Sequence, residues 1–227
     1  MTDSAQVLTY IDKYCERTSE GLWAEPLNVI SNLAFLIVFI LVLKLFKNNI
    51  KNQYLKYWDI SLLVVLLMCI TLGSTLWHIF AQQWALYMDI IPILLFINVF
   101  IISCFYRVLQ LNTLFVVLFF GVYQLFNFLV QQQYSIETLN GSIFYVPVLL
   151  TLVIIMLTTC LKKRPICHNY LIAVSLFVLA LGLRTLDNSQ CDNFPVGTHF
   201  LWHIIIATML YFLATSLILN ATTRRTE

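Results

Sequence analysis

Charge is scarce in this sequence: 11% of its 227 residues are Asp, Glu, Lys or Arg. A soluble domain carries about a quarter. With 60% hydrophobic residues and a mean hydropathy of +0.85, a water-soluble globular fold is excluded and an integral membrane protein is expected. Other absences narrow the class further. Met1 to Leu8 has no basic stretch and no cleavage site, so no secretory signal peptide is expected. There is no internal repeat, low-complexity tract or linker long enough to divide the chain, so residues 1–227 read as one domain. The apolar runs do not alternate with polar residues, which excludes a β-barrel. The last run has no lysine, which excludes a retinal Schiff base.

What is present is a series of apolar runs, each near the roughly 20 residues that cross a bilayer as a helix. Seven can be marked, at about 26–46, 59–80, 84–105, 112–130, 141–161, 170–185 and 198–220. The expected fold is an all-α, seven-transmembrane helix bundle with a non-cytoplasmic segment at 1–25. Basic residues set its orientation. Lys44, Lys47, Lys51, Lys56, Arg107, Lys162, Lys163, Arg164, Arg224 and Arg225 fall on one side, leaving Lys13, Arg17 and Arg184 for the other. The N-terminus is therefore expected outside and the C-terminus inside.

That orientation sorts the cysteines. Cys69, Cys104 and Cys160 fall in spans and Cys167 on the inner side, where free cysteines act as small hydrophobes. Cys15 and Cys191 lie on the oxidising side. They are either two free thiols or a bridge from the N-terminal segment to the sixth connection, and sequence does not give their separation.

Ionisable residues in a membrane span mark a functional site by default. His78 lies near the outer end of the second run, and Asp89 follows eleven residues later in the third. His199 and His203 open the seventh run. Their i, i+4 spacing puts them on one helix face, as it does Ser74 and His78. Three of the four histidines thus share one depth, and His168 falls on the inner side. Taken singly, each is more often a hydrogen-bonded interfacial side chain. Together, three imidazoles with an open position suit a catalytic zinc ion. Asp89 has several readings: a partner for Arg184, a helix cap, a fourth ligand, or a base for water at the metal. Ser74 either meets a substrate carbonyl or bonds its own backbone.

At these residues the chain resembles the alkaline ceramidases, a branch of the seven-helix hydrolase superfamily that includes the adiponectin-receptor-like proteins. Four blocks carry the resemblance in order over nearly the whole chain. They are Asp12-Lys13-Tyr14-Cys15-Glu16, Glu25-x-x-Asn28-x-x-Ser31-Asn32, Ser74-x-x-x-His78 with Asp89, and His199-x-x-x-His203. The resemblance implies that His78, His199 and His203 bind Zn2+, that Asp89 activates water and that Ser74 helps hold the oxyanion. The implied reaction is hydrolysis of ceramide, or another N-acyl lipid, to a sphingoid base and a fatty acid. It also implies a Cys15–Cys191 disulfide and a Ca2+ site at Tyr14, Glu16 and Glu25. Lys13 stands where the family has an aspartate and Thr18 where an asparagine is usual. The alternative to calcium is an ion-paired plug of Lys13, Glu16, Arg17 and Glu25.

Ile90, in Asp89-Ile90-Ile91-Pro92, replaces a family glutamate and marks a divergent member. Asn28, Ser31 and Asn32 are expected to bond between helices. The partners expected are a lipid substrate and the membrane, with no nucleic acid and no obligate protein partner. The lack of a long targeting tail favours a bacterial inner membrane over a eukaryotic endomembrane. The competing function is a non-catalytic receptor or scaffold pinned by structural zinc.

Overall fold

The structure, a computed structural model, describes residues 10–223. Met1 to Leu8, Arg224 and Arg225 lie outside the described residues. Among those described there are helices and no strands. Seven helical stretches are long and apolar enough to cross a membrane.

The first span is α1 (Pro26–Ser31) continued by α2 (Leu33–Ile50), with Asn32 at the break. Pro26 starts it, as suits a residue with fixed φ and no N–H to leave unpaired. The second span is α3 (Trp58–Phe80) and the third α4 (Gln83–Ser103), which runs into a π-helical turn at Cys104–Val108. Next comes α5 (Thr113–Gln133), whose N-cap Asn112 accepts from the Phe115 N–H at 3.1 Å. A 3-10 segment at Thr138–Tyr145 leads into α6 (Val146–Leu161), and α7 (Cys167–Leu186) makes the sixth span. The seventh, α8 (His199–Thr223), is the longest helix. The spans extend past the expected bounds chiefly where polar residues continue a helix, as Cys167-His168-Asn169 does at the start of α7.

Lipid is as apolar as a helix surface, so packing and scattered hydrogen bonds hold such a bundle. The central helices are α3 and α8. At one end Arg107 on the π-turn grips Asp59 of α3 at 2.6 and 2.7 Å, and Ser103 adds a third bond at 2.6 Å. Asn220 of α8 donates to the Arg107 carbonyl and Arg164 to that of Val108, which gathers the first, third and fifth connections there. The N-terminal segment occupies the opposite end, where the Ile11 N–H bonds the Ala81 carbonyl just past α3.

A disulfide joins Cys15 to Cys191. A second joins Cys160 to Cys167, correcting the expectation of free thiols at these positions. The tight α6–α7 connection brings their Cα atoms to 4.9 Å, within bridging range. Cys69 and Cys104 are free.

Candidate metal centre and active site

His78 sits in the last turn of α3, and His199 and His203 occupy the first residue and second turn of α8. All three are buried, at 1, 2 and 3% exposure. Each offers a ligand atom within 4.8 Å of the others. A residue outside the expected set holds the start of α8. Asp187 accepts the backbone N–H groups of Thr198 (2.6 Å), His199 (2.9 Å) and Cys15 (3.3 Å). Gly197 lies against it in the left-handed region, where a Cβ would come 2.2 Å from the Asp187 carboxylate. Only glycine fits both the conformation and the space.

The hydrogen-bond partners of the imidazoles fix what they present to one another. Glu25 Oε2 lies 2.5 Å from His78 Nδ1. Burial alone would raise the Glu25 carboxyl. Hydrogen bonds from His78, Arg17 and Asn28 outweigh that and hold it below the ordinary carboxylate range. An ionised Glu25 requires His78 Nδ1 to carry a hydrogen. Ser31 donates its own hydrogen to the Asn28 carbonyl and accepts from His203 Nδ1 at 2.7 Å. Both Nδ1 atoms are therefore donors. The two Nε2 atoms face each other at 3.1 Å, a contact that needs a proton or a metal ion to offset opposed lone pairs. His199 Nδ1 is also buried without a hydrogen-bond partner. An imidazole held through its other nitrogen by a carboxylate or hydroxyl is the usual support of a metal ligand. The three residues fit a zinc ion.

Asp89 reaches this centre through a close helix contact. A Cβ on Gly73 would sit 1.9 Å from the Met88 carbonyl oxygen and 3.1 Å from the Asp89 Cα, so glycine lets α3 and α4 touch there. Ser74 then hydrogen-bonds Asp89, while Asp89 Oδ1 stays buried and unpartnered. Asp89 makes no ion pair with Arg184 among the described residues. Arg184 instead lies over the Tyr145 and Trp202 rings, at 5.8 and 5.2 Å. Tyr14 stacks on His199 with ring centroids 3.8 Å apart, closing the centre from the N-terminal side. Burial and nearby Arg184 push the Lys13 amine down to about 8.

The oxygens that resemblance would offer to calcium are otherwise engaged. The Tyr14 carbonyl accepts from the Arg17 N–H at 3.1 Å. Glu16 accepts from the Leu27 and Asn28 N–H groups, at 2.6 and 2.9 Å, at the start of α1. Arg17 binds the remaining oxygen of Glu25 at 2.5 Å. These residues do not fit a calcium ion as they stand. Of the plug alternative, the Arg17–Glu25 pair is present, whereas Glu16 caps a helix.

Ser31 joins α1 to α8 and Asn28 donates to Glu25 at 2.9 Å. Asn32 differs from expectation: both its amide atoms are buried without partners, at the break between α1 and α2. One contributor escapes a reading by spacing: Asp187 lies in a polar loop, and its only signal is an ionisable residue four positions before Cys191. Arg17 is expected in the plug with Glu25, but its bond to the His78 carbonyl is not.

No curated protein and no solved structure matches this chain. A family model, that of the ceramidases, matches residues 10–227 and so takes in every residue of the site. With that match over nearly the whole length, the chain belongs to the ceramidase family, membrane proteins that hydrolyse ceramide.

Proposed function

We propose that this protein is a zinc-dependent intramembrane amidase that cleaves the N-acyl bond of ceramide or a related lipid, with His78, His199 and His203 holding the metal. The observation that carries the reading is the pair of facing Nε2 atoms on His78 and His203, each ring tied down through Nδ1. When bound, zinc supplies Lewis acidity, polarising the amide carbonyl and making water acidic near neutral pH.

The chain's own residues supply the rest. Glu25 and Ser31 lock two rings in the tautomer that leaves Nε2 free. Asp89 Oδ1 has an unused lone pair beside the centre. It takes a proton from the attacking water and returns it to the leaving amine nitrogen. Protonation of Asp89 on Oδ1 weakens its other oxygen as an acceptor for the Ser74 hydroxyl. Ser74 is then free to donate to the oxyanion, where a fixed donor matters most. The site's position at the end of α3 suits an amide lying at the headgroup boundary, with the acyl chains reaching in from lipid. Exposed Trp23 and Trp84 near that end support an interfacial depth.

The test is metal content and turnover of the purified protein. About one zinc per chain is expected, and His203→Ala should lose both the zinc and the amide hydrolysis. A fully active His203→Ala protein overturns the mechanism. Zinc bound without turnover of any lipid in a mixed-lipid incubation would instead favour the scaffold reading.

A further inference from the structure

Arg17 is among the most thoroughly buried charges in the molecule, with no exposed side-chain surface. The hydrogen-bond partners of its guanidinium are oxygens, and its face lies 5.6 Å from the centre of the Tyr10 ring. Nε meets Glu25 Oε1 at 2.5 Å, and one terminal nitrogen reaches the Ser19 and Gly21 carbonyls at 3.3 and 3.5 Å. The other bonds the His78 carbonyl at 2.8 Å. A carboxylate and three carbonyls around one positive group are the kind of ligands a hard cation selects. Here the positive charge is covalently attached.

We propose that Arg17 is a positioning residue for the hydrolysis, serving as a tethered cation where the resemblance places calcium, so that the protein works without calcium. A guanidinium differs from the ion in two ways. It cannot dissociate, so the site is loaded whatever the calcium concentration. Its donors also lie in a fixed plane. That plane orients the Glu25 carboxylate with Oε1 toward Arg17 and Oε2 toward His78 Nδ1. Arg17 also grips the carbonyl of His78 itself, so it holds that residue's backbone directly and its ring through Glu25. An ion pair removed from water in this way contributes little net stability. What it supplies is orientation.

The inference rests on reading His78 as a metal-holding residue, and the experiment separates the two. Full-length protein in detergent is examined for melting temperature, zinc retention against a chelator, and hydrolysis of a short-chain ceramide. Each is measured with calcium chloride or with a calcium-selective chelator. The wild-type melting temperature and rate should not differ between the two conditions. Arg17→Ala should lower zinc affinity or kcat about 10- to 100-fold, as loss of a ligand's support does, with KM little changed. Added guanidinium ion should restore part of the loss in Arg17→Ala and none in the wild type, and Arg17→Lys should fall between.

A wild-type protein whose melting temperature rises with calcium overturns the proposal, even if Arg17→Ala fails to fold. Unchanged zinc retention and kcat in a folded Arg17→Ala protein also overturn it, reducing Arg17 to a structural plug. Wild-type protein without zinc would sink the amidase reading instead, and the calcium comparison would still be decided by melting temperature.

Discussion

Glu25 and His78 meet at 2.5 Å across 53 residues of chain, while the other oxygen of that carboxylate holds Arg17. One side chain therefore sets a ring's tautomer and neutralises a buried cation, and two substitutions divide these tasks. Glu25→Gln retains an acceptor but weakens its hold on His78. It should lower zinc affinity by about 10- to 100-fold, read by chelator titration. Glu25→Ala also strands the Arg17 charge and should cost about 3–5 kcal/mol, seen as a lower unfolding midpoint.

Asp89 lies beside the imidazoles without belonging to their cluster. Asp89→Asn should keep its zinc and its fold while the rate falls by about 100- to 10,000-fold, the usual contribution of a general acid–base group. Metal analysis next to initial rates decides the matter. Loss of zinc would make Asp89 a ligand.

The α3–α4 contact at Gly73 has no room for a methyl group, because the Met88 carbonyl oxygen lies 1.9 Å from where the Cβ would be. Gly73→Ala should push the helices apart, carry Asp89 from Ser74, and reduce both the melting temperature and the rate. Gly121→Ala meets nothing within 4 Å. It should be neutral or stabilising by up to about 1 kcal/mol, and serves as the control.

Asp187 accepts three backbone N–H groups, including that of His199. Asp187→Ala removes this cap and should destabilise by about 0.5–2 kcal/mol from capping alone, with a parallel drop in zinc retention. Asp187→Asn, which keeps an acceptor oxygen, should lie between. Equal zinc retention in all three proteins would separate the cap from the metal centre.

The two disulfides lie at opposite ends of the bundle, so thiol chemistry reports orientation. If the basic end faces the cytoplasm, Cys15–Cys191 should resist alkylation in intact cells. The Cys160–Cys167 bridge should be open in cells and its cysteines should label with a permeant reagent, because a reducing compartment reduces such disulfides. The reverse labelling pattern would place the N-terminus inside.

Much of this protein is legible along the chain because partition into lipid is a local property. A run such as 59–80 has nowhere else to go, and the expected span falls within a residue of α3. Helical period likewise puts His199 and His203 on one face before any fold is known. These determinations need only composition and spacing. Which groups meet across the bundle is set by tertiary contact alone. The left-handed turn at Gly197, the missing Cβ of Gly73 and the reach of Arg17 back to the His78 carbonyl are all long-range packing facts. The sequence suggests that Arg17 pairs with Glu25, but nothing local points it at the His78 carbonyl, an oxygen that only folding brings to it. The same holds for Cys160 and Cys167: seven residues apart in sequence, they pair because the turn between α6 and α7 folds back on itself.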